Sequence, residues 1–324
     1  MNAESCASPT AVVVLNWNRS DLTLACLDSL LPAARGRPVT LVVCDNASSD
    51  DSLARLAAWG RRHFGGRPRT PAEARFLLLR TPRNLGFAGG HNAALRWVLE
   101  GDYEFVWLLN SDTRVYPDTL DRLVECARRH PRAGCIGATL VEADRPDIVQ
   151  CAGGCRFNPW LTTFRPVHQG RAWEEVSELP EPVLDYVAGA SLFLPTEALR
   201  RVGLLNEAFF LYYEELDLAR RLRDAGYRPV WCRLARVRHQ GGASLPEDAF
   251  RHYHENLSTL QYLWQHHRLV FPFAAVFRFL AKCLWLPLGG RAGLLPSLAA
   301  AYRDFRPGGF RAGAEPAAVI VAAG

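Results

Sequence analysis

Residues 105–115 read FVWLLNSDTRV, five apolar side chains followed at once by Asn110, Ser111 and Asp112. A short apolar run bounded by turn residues is typical of a central strand in a sheet covered on both faces. The loop that leaves such a strand is the usual place for ligand chemistry in α/β proteins. Two interpretations of the polar triplet are open. Its side chains form a turn with nearby backbone, or Asp112 holds a hard cation.

The segments around residues 105–115 alternate between strand and helix patterns. Valine- and leucine-rich apolar runs predict strands, whereas apolar residues at helical spacing, with capping residues or proline at the ends, predict helices. This alternation indicates an α/β fold with a mostly parallel, doubly wound central sheet. The predicted strands lie at about 11–18, 39–45, 74–80, 103–110 and 134–141, and the helices at about 20–31, 52–64, 90–100 and 117–130.

Polar clusters follow three of these predicted strands. They are NWN at 16–18, Asp45 with Asn46, and the triplet at 110–112. Because the carboxyl ends of parallel strands share one edge of a sheet, the clusters are expected to converge. Convergence favours a binding site over three unrelated turns.

Composition limits the classes of function. The chain has 324 residues, 49% of them hydrophobic and 22% charged, with a formal net charge of +5. That suits one large or two modest domains with a real core, and a mild positive charge without a dense basic run argues against nucleic acid as a partner. Nine scattered cysteines predict buried free thiols in a reducing compartment. The first ten residues lack a signal-peptide pattern, so a cytoplasmic location is expected.

The chain divides by character into a predicted α/β domain at 1–245 and a C-terminal helical extension at 246–324. Within the first domain, residues 145–183 predict an irregular insertion with short antiparallel strands. Within the extension, residues 269–288 are strongly apolar but contain Arg278 and Lys282.

Those two cations, four residues apart, share one helix face. Cations at the centre of a bilayer are costly, which disfavours a spanning helix. We expect instead a helix that lies in the membrane interface, with Arg291, Arg303 and Arg306 meeting anionic lipid. The alternative is a C-terminal helix packed on the protein's own core.

A metal-binding constellation is suggested by Asp45, Asn84, Asp112 and His239. A site with few carboxylates, whose coordination shell is completed by water and phosphates, is typical of Mg²⁺ or Mn²⁺ bound to a diphosphate. Mn²⁺ also accepts an imidazole ligand. The segment NLGFAGGHN at 84–92 places glycines at a strand-to-helix turn, where the backbone can approach an anion. Its spacing is not that of a dinucleotide fingerprint.

An acidic group opens the predicted helix in FFLYYEELDLARRL: Glu214, Glu215 and Asp217. Acids in a first helical turn are commonly structural. Buried acids close together can also serve as a general base. On a helix, Asp217 lies four residues before Arg221 and is expected to pair with it, whereas Glu215 points elsewhere.

Taken together, these segments resemble the family 2 glycosyltransferases of GT-A fold, in particular the bacterial rhamnosyltransferase-like type. The resemblance covers about residues 11–256. The matching segments, in order, are VVVLNWN, VVCDNASSDDS, NLGFAGGHNAAL, VWLLNSDTRV, YVAGASLFL, GLLNEAFFLYYEELDLARRLRDAGY and VRHQGGAS.

The resemblance implies a role for each candidate residue. It places Asp112 and His239 on the metal, Glu215 at the catalytic-base position, and Glu214 with Gly189 and Ala190 on the acceptor side. Asn110 stands at the first acidic position of the DxD motif. Glu215 stands where the family usually has aspartate, and Glu255 stands where it often has arginine. The donor-binding residues implied are Asn16, Asn18, Asp45, Asn84, Gly86, Gly90, Asn92 and Asn110.

The implied reaction is an inverting, metal-dependent transfer of a sugar from a dTDP- or UDP-sugar. The implied acceptor is a saccharide or lipid-linked molecule in cell-surface polysaccharide synthesis. The departures at Asn110 and Glu215 leave a second hypothesis, a non-catalytic scaffold of a polysaccharide-assembly complex. A nicotinamide oxidoreductase is disfavoured, because the turn after the first strand, NWNRSD, contains no glycine.

Overall fold

The computed structural model describes residues 8–65, 75–241, 248–307 and 318–323. The strands are β1 (Thr10–Asn16), β2 (Val39–Asp45), β3 (Phe76–Arg80), β4 (Phe105–Asn110), β5 (Thr113–Val115), β6 (Ala133–Glu142), β7 (Val149–Ala152), β8 (Gly154–Asn158), β9 (Thr163–Pro166), β10 (Tyr186–Val187), β11 (Ser191–Pro195), β12 (Arg228–His239) and β13 (Val319–Ala323). The helices are α1 (Ser20–Ala34), α2 (Ser52–Phe64), α3 (Gly86–Glu100), α4 (Thr119–Arg129), α5 (Trp173–Glu178), α6 (Thr196–Val202), α7 (Glu214–Asp224), α8 (Asp248–His266), α9 (Phe271–Leu288) and α10 (Leu295–Asp304).

The central sheet has the strand order β13-β3-β2-β1-β4-β11-β6-β12-β5, with β7 beside β6. β1 to β4 run parallel, and β11 is antiparallel to both of its neighbours. β1, β2 and β4 are almost wholly buried, because helices cover both faces of the sheet. The predicted fold class, a doubly wound and mostly parallel sheet with C-terminal helices, is confirmed.

The register of the central strands brings the polar clusters to one edge. Asn16 pairs with Asp45 across β1 and β2, and Leu15 pairs with Asn110 across β1 and β4. The carboxyl ends of β1, β2 and β4 are therefore in register to within one residue, so their polar clusters lie side by side, as the sequence predicted.

The insertion at 145–183 contains the predicted short antiparallel strands. β8 pairs with β9 and β10 in a small separate sheet, while β7 joins β6 of the main sheet. Phe157 and Phe164 of the small sheet pack against Tyr213, just before α7. The insertion thus supports the acidic start of α7.

The C-terminal extension is bound to the first domain through α8. Ser258 donates to the Leu211 carbonyl and Thr259 to the Tyr213 hydroxyl, both at 2.9 Å. The last described segment, β13, is a strand and pairs antiparallel with β3, so this end of the extension is not helical. The proposed boundary at 245/246 lies outside the described residues, and the division into two domains stays a prediction.

The structure shows which face of α9 points inward, which the sequence left open. Arg278 is 8% exposed and donates to Asn256 Oδ1 at 3.0 Å and Glu255 Oε1 at 2.6 Å. Lys282 also donates to Glu255, at 3.2 Å. The cationic stripe therefore faces the protein, not lipid, because Glu255 stands where it can neutralise both cations. Hydrophobic side chains cover the outer face instead.

α9 is also the one helix in the described part of the chain that is long and apolar enough to cross a membrane, judged by length and composition alone.

The cysteines are free and mostly buried, as the sequence predicted. The eight described cysteines are free thiols, seven of them buried.

Candidate active site

A buried polar layer lies beneath the edge where β1 and β2 end. Asn16 Nδ2 donates to Asp45 Oδ1 at 2.9 Å, and Thr23 Oγ1 donates to Asn16 Oδ1 at 2.7 Å. Ser48 donates its hydroxyl and its backbone N–H to the Asp45 carboxylate. Asn16 and Asp45 are both fully buried. Asn16 therefore supports the strand ends from within this layer, and its predicted donor contact stays a prediction.

Asn18 continues this layer above β1. Its backbone adopts a φ of 53°, in the left-handed region that asparagine tolerates better than most residues. Its side-chain oxygen accepts the backbone N–H of Ser49 at 2.8 Å. Asn18 thus fixes the loop after β2, and a direct donor contact at this position stays a prediction.

Asn46 organises the loop that precedes α3. Its Nδ2 donates to Asn84 Oδ1 at 2.9 Å and to the Gly86 carbonyl at 3.0 Å, and its Oδ1 accepts the Leu85 N–H at 3.0 Å. Sequence reasoning missed this role, although Asn46 directly follows Asp45 in the same polar cluster.

Gly86 is required by its surroundings. Its φ is +72°, and a Cβ there would lie 2.2 Å from the Phe210 carbonyl oxygen, which accepts the Phe87 N–H. The glycine lets the α3 loop and the segment before α7 form opposite walls of one cleft.

That cleft opens at the converged strand ends. Asn84, Gly86 and Asn110, all predicted donor residues, line it. Its aromatic walls were not predicted, although Trp17 lies within NWN and Phe210 within the quoted acidic segment. A cleft with π faces on its walls and amides at its base suits a planar, hydrogen-bonding group such as a nucleobase. Its other lining residues are Leu15, Trp17, Asn46, Phe87, Ser111, Phe210, Leu211 and Phe250.

Gly90 and Asn92 do not belong to this lining. A Cβ at Gly90 would lie 2.6 Å from Leu15, so the glycine allows α3 to pack closely on β1. Asn92 donates to Leu205 O and Glu207 Oε1, each at 2.8 Å, and accepts from Leu205 N. Their predicted donor-binding roles stay predictions. Both residues fix α3 to neighbouring segments.

Asp112 and His239 meet across β5 and β12. Asp112 Oδ1 lies 3.4 Å from His239 Nε2, although the residues are far apart in sequence. The other ring nitrogen, Nδ1, lies 2.6 Å from Gln150 Oε1, an acceptor. With Nδ1 donating to Gln150, a neutral His239 directs the lone pair of Nε2 toward the Asp112 carboxylate. Two acceptor atoms that face each other in this way suit a cation bound between them.

This donor set fits a divalent metal. One carboxylate oxygen and one imidazole nitrogen, oriented by a second hydrogen bond, match the ligands of Mn²⁺. Among the residues covered by the structure, no group of three or more His, Cys, Asp and Glu side chains could hold a metal. The pair suits a metal whose remaining positions are filled by water and ligand phosphates.

Glu214 and Glu215 begin α7 after two strained residues. Tyr212 and Tyr213 both have positive φ, 68° and 75°, which is rare for aromatic residues and typical of functional sites. Burial raises the pKa of Glu215, and burial together with the charge of Glu215 raises the pKa of Glu214 well above its usual value. In both residues, Oε2 has no hydrogen-bond partner among the described residues.

The two residues differ in exposure. Glu214 is buried, whereas Glu215 is partly exposed as a residue although its carboxyl oxygen Oε2 is buried. A Cβ at Gly189 would lie 3.2 Å from Glu215 Oε1, so the glycine lets the backbone approach this carboxylate closely. Ala190 is buried and accepts the Asn110 N–H through its carbonyl at 3.1 Å. The residues predicted on the acceptor side thus lie between Glu215 and the end of β4.

Asp217 has the structural role that the sequence predicted. Its Oδ2 accepts Arg221 Nε at 2.8 Å, and its Oδ1 lies 2.8 Å from His266 Nε2 on α8. Despite burial, these partners hold the pKa of Asp217 below its usual range. Arg221 also donates to the carbonyls of Val202 and Leu204, so this network attaches α7 to two neighbouring segments.

Comparison with known families defines the class of protein. Residues 11–150 match the profile described as Glycosyl transferase family 2, and residues 105–302 match that described as Glycosyl transferase family group 2. The chain therefore belongs to the family 2 glycosyltransferases and is a glycosyltransferase.

Similar proteins include rhamnosyl- and galactofuranosyltransferases. The N-acetylglucosaminyl-diphospho-decaprenol L-rhamnosyltransferase of Mycobacterium tuberculosis is 27% identical over 249 residues, 68% of this chain and 73% of the relative. The galactofuranosyltransferase GlfT1 of Mycolicibacterium smegmatis is 27% identical over 241 residues, 71% of this chain and 70% of the relative.

Two solved structures share the fold. The mannosyltransferase PcManGT from Pyrobaculum calidifontis, in complex with GDP-Man and Mn²⁺, superposes with a TM-score of 0.54 at 17% identity, over 92% of this chain and 87% of that chain. S. aureus TarS 1-349, in complex with UDP-GlcNAc, has a TM-score of 0.53 at 15% identity, over 91% of this chain and 80% of that chain. Both likenesses support the GT-A architecture.

Proposed function

We propose that this glycosyltransferase transfers a sugar from a nucleoside-diphosphate sugar to a saccharide or lipid-linked acceptor, in one inverting step that needs Mg²⁺ or Mn²⁺. The observation that carries the proposal is the pairing of Asp112 with His239 at 3.4 Å, beside a cleft formed by three converged strand ends. The cleft would hold the nucleoside, and the diphosphate would lie toward Asp112.

On the donor side, Asp112 and His239 would hold the metal. When bound, it would offset the charge that develops on the leaving nucleoside diphosphate. Gln150 orients His239, and Asn46 keeps Asn84 and the α3 loop at the cleft. These residues bind and orient the donor, and none of them transfers a proton in this proposal.

On the acceptor side, Glu215 would take the proton of the attacking hydroxyl. A buried carboxyl with a raised pKa is a stronger base when ionised than an exposed one. Attack from the acceptor side, opposite the leaving diphosphate, inverts the anomeric centre.

The donor is proposed to be a dTDP- or UDP-sugar and the product a cell-surface glycan. The names of two similar proteins, a rhamnosyltransferase with a diphospho-decaprenol acceptor and a galactofuranosyltransferase, support this. A panel of dTDP-, UDP- and GDP-sugars, each with Mn²⁺, Mg²⁺ or EDTA, tests the proposal by thermal shift and by release of nucleotide. We expect one donor to raise Tm only with metal and to be slowly hydrolysed. Donor binding without any turnover on an acceptor would instead favour the scaffold hypothesis.

The enzyme is further proposed to work at the cytoplasmic face of the membrane, with the outer face of α9 in the lipid interface. The residues spaced along this face, Phe273, Phe277, Leu280, Leu284 and Leu288, are each between 54% and 69% exposed. Helices of soluble proteins place such a stripe inward, whereas here the inward face carries Arg278 and Lys282. A lipid bilayer would cover this apolar outer face, which suits an enzyme of cell-surface glycan synthesis.

Replacing Leu280 and Leu284 together by glutamate is expected to abolish binding to lipid vesicles, since burial of these side chains contributes about 3–6 kcal/mol in total. Flotation of the purified protein with vesicles measures this. Val183→Glu with Leu234→Glu, two equally exposed apolar positions elsewhere, is the matched control and should still float. If the unmodified protein fails to float and forms a dimer that the α9 variant dissociates, a second copy of the chain covers this face.

A further inference from the structure

A polar cavity of about 490 Å³ lies between α8 and α9, apart from the donor cleft. Arg251 and His252 of α8 line it, with Lys282 of α9 and Arg291 beyond the end of α9. Trp285 forms part of its apolar rim and is 68% exposed on the outer side of α9. The cavity therefore opens where a polar interior meets the apolar outer face.

The charge in and behind this cavity is positive. Arg251 pairs with Asp248 at 2.6 Å, and Arg291 lies 3.9 Å from the same carboxylate. Lys282 shares Glu255 with Arg278, which lies buried behind the cavity. Four cations thus face two carboxylates, Asp248 and Glu255. An anion entering the cavity would balance the remaining charge.

Lys282 lines the cavity and has two protein contacts. Its Nζ lies 3.2 Å from Glu255 Oε1 and 3.2 Å from His252 Nε2, and His252 Nδ1 is held by Ser297 at 2.9 Å. An ammonium group has three donors, so two fixed contacts leave one for a ligand. Burial and the nearby Arg278 lower the pKa of Lys282 to about 8, a cost that an added anion would offset.

The cavity and the donor cleft share helix α8. α8 directs Phe250 toward the donor cleft, with His254 stacked on Phe210, and directs Arg251 and Glu255 toward the cavity. The phenol of Tyr212, just before α7, is within electrostatic range of Arg251 and Glu255 and also of Glu214 and Glu215. Because Phe250 and Arg251 are consecutive, α8 forms part of the wall of both sites.

We propose that this cavity binds the phosphate group of a lipid-linked acceptor, with the hydrocarbon chain lying along the outer face of α9. The proposal rests on the acceptor and membrane contact proposed above. A phosphate here would have cationic partners in Lys282, Arg251 and Arg291, its chain would leave past Trp285, and the sugar end would extend toward Glu215. Charge, the apolar exit and position agree on this one occupant.

The test measures binding to phosphatidylcholine vesicles that carry either a long-chain polyprenyl phosphate or phosphatidylglycerol at the same surface charge. The unmodified protein should prefer the polyprenyl phosphate. Lys282→Gln with Arg291→Gln should lower the affinity for those vesicles by about 10- to 100-fold, the usual worth of hydrogen bonds to a charged group. Arg303→Gln with Arg306→Gln removes the same charge from exposed positions on and just after α10 and should lower it less than about threefold.

Three results would overturn the proposal: equal binding to phosphatidylglycerol, equal losses in the two double variants, or release from vesicles by millimolar pyrophosphate. Equal binding to phosphatidylglycerol would indicate a general affinity for anionic lipid. Equal losses in the two double variants would indicate unspecific charge attraction, and release by pyrophosphate would indicate a site for soluble anions. Lys282→Arg with Arg291→Lys keeps both charges and should retain the preference, which separates lost binding from lost folding. Metal-dependent donor hydrolysis is measured on every variant. If it is absent from the unmodified protein, the proposed reaction fails, whatever the vesicles bind.

Discussion

Asp112→Ala is expected to abolish sugar transfer, with kcat/KM falling by roughly 10³-fold or more, while the protein remains folded. A loss of that size is typical when a group that stabilises charge on a leaving or attacking oxygen is removed. Asp112 would hold the metal that offsets the charge of the leaving diphosphate, and His239 alone would hold it weakly. Titration of the donor with and without Mn²⁺, followed by calorimetry, measures the effect on binding directly.

Two further variants separate the carboxylate's charge from its shape. Asp112→Asn keeps the volume and should lose metal-dependent donor binding as completely as the alanine variant. Asp118→Ala removes an exposed acid just before α4 and should change neither binding nor transfer. Mn²⁺-dependent donor affinity that survives in Asp112→Asn would mean that the metal is held elsewhere.

The sequence predicts this site well where chain connectivity places it. Parallel strands that end in polar residues must bring those residues to one edge, so Asp45, Asn84 and Asn110 could be placed from local patterns. The pairing of Asp112 with His239 depends on β12 returning beside β6 and β5, a long-range event that local patterns do not determine.

For other residues the sequence could not show their protein partners, because a residue type does not reveal what it contacts. Asn16 and Asn92 have the chemistry of ligand-binding amides, yet neighbouring protein groups occupy them. For α9, helical spacing predicted that Arg278 and Lys282 share a face but not which side of the helix faces inward. The carboxylate of Glu255, on another helix, decides that orientation.

Glu215→Gln is expected to keep donor affinity and to lower kcat by about 10²–10⁴-fold, the usual contribution of a general base. Glutamine preserves the shape and hydrogen bonding of the side chain but cannot accept the acceptor's proton. Because burial raises the pKa of Glu215, transfer by the unmodified enzyme should fall as the pH decreases through a value above the ordinary 4.5 of glutamate. The base is active only when ionised, so this acidic limb should disappear from the pH profile of the variant.

The neighbouring acids are the matched controls. Glu214→Gln replaces a buried carboxyl and should retain kcat within about tenfold, with a gain in stability of about 1 kcal/mol because the cost of burying an ionisable acid, which raises its pKa, is removed. Asp217→Asn breaks the contacts to Arg221 and His266 and should lower the free energy of unfolding by about 3 kcal/mol, with little effect on the pH profile of the folded enzyme. Near-normal turnover in Glu215→Gln, together with a loss in Glu214→Gln, would assign the proton transfer to Glu214 and require α7 to rotate that side chain out of its buried position.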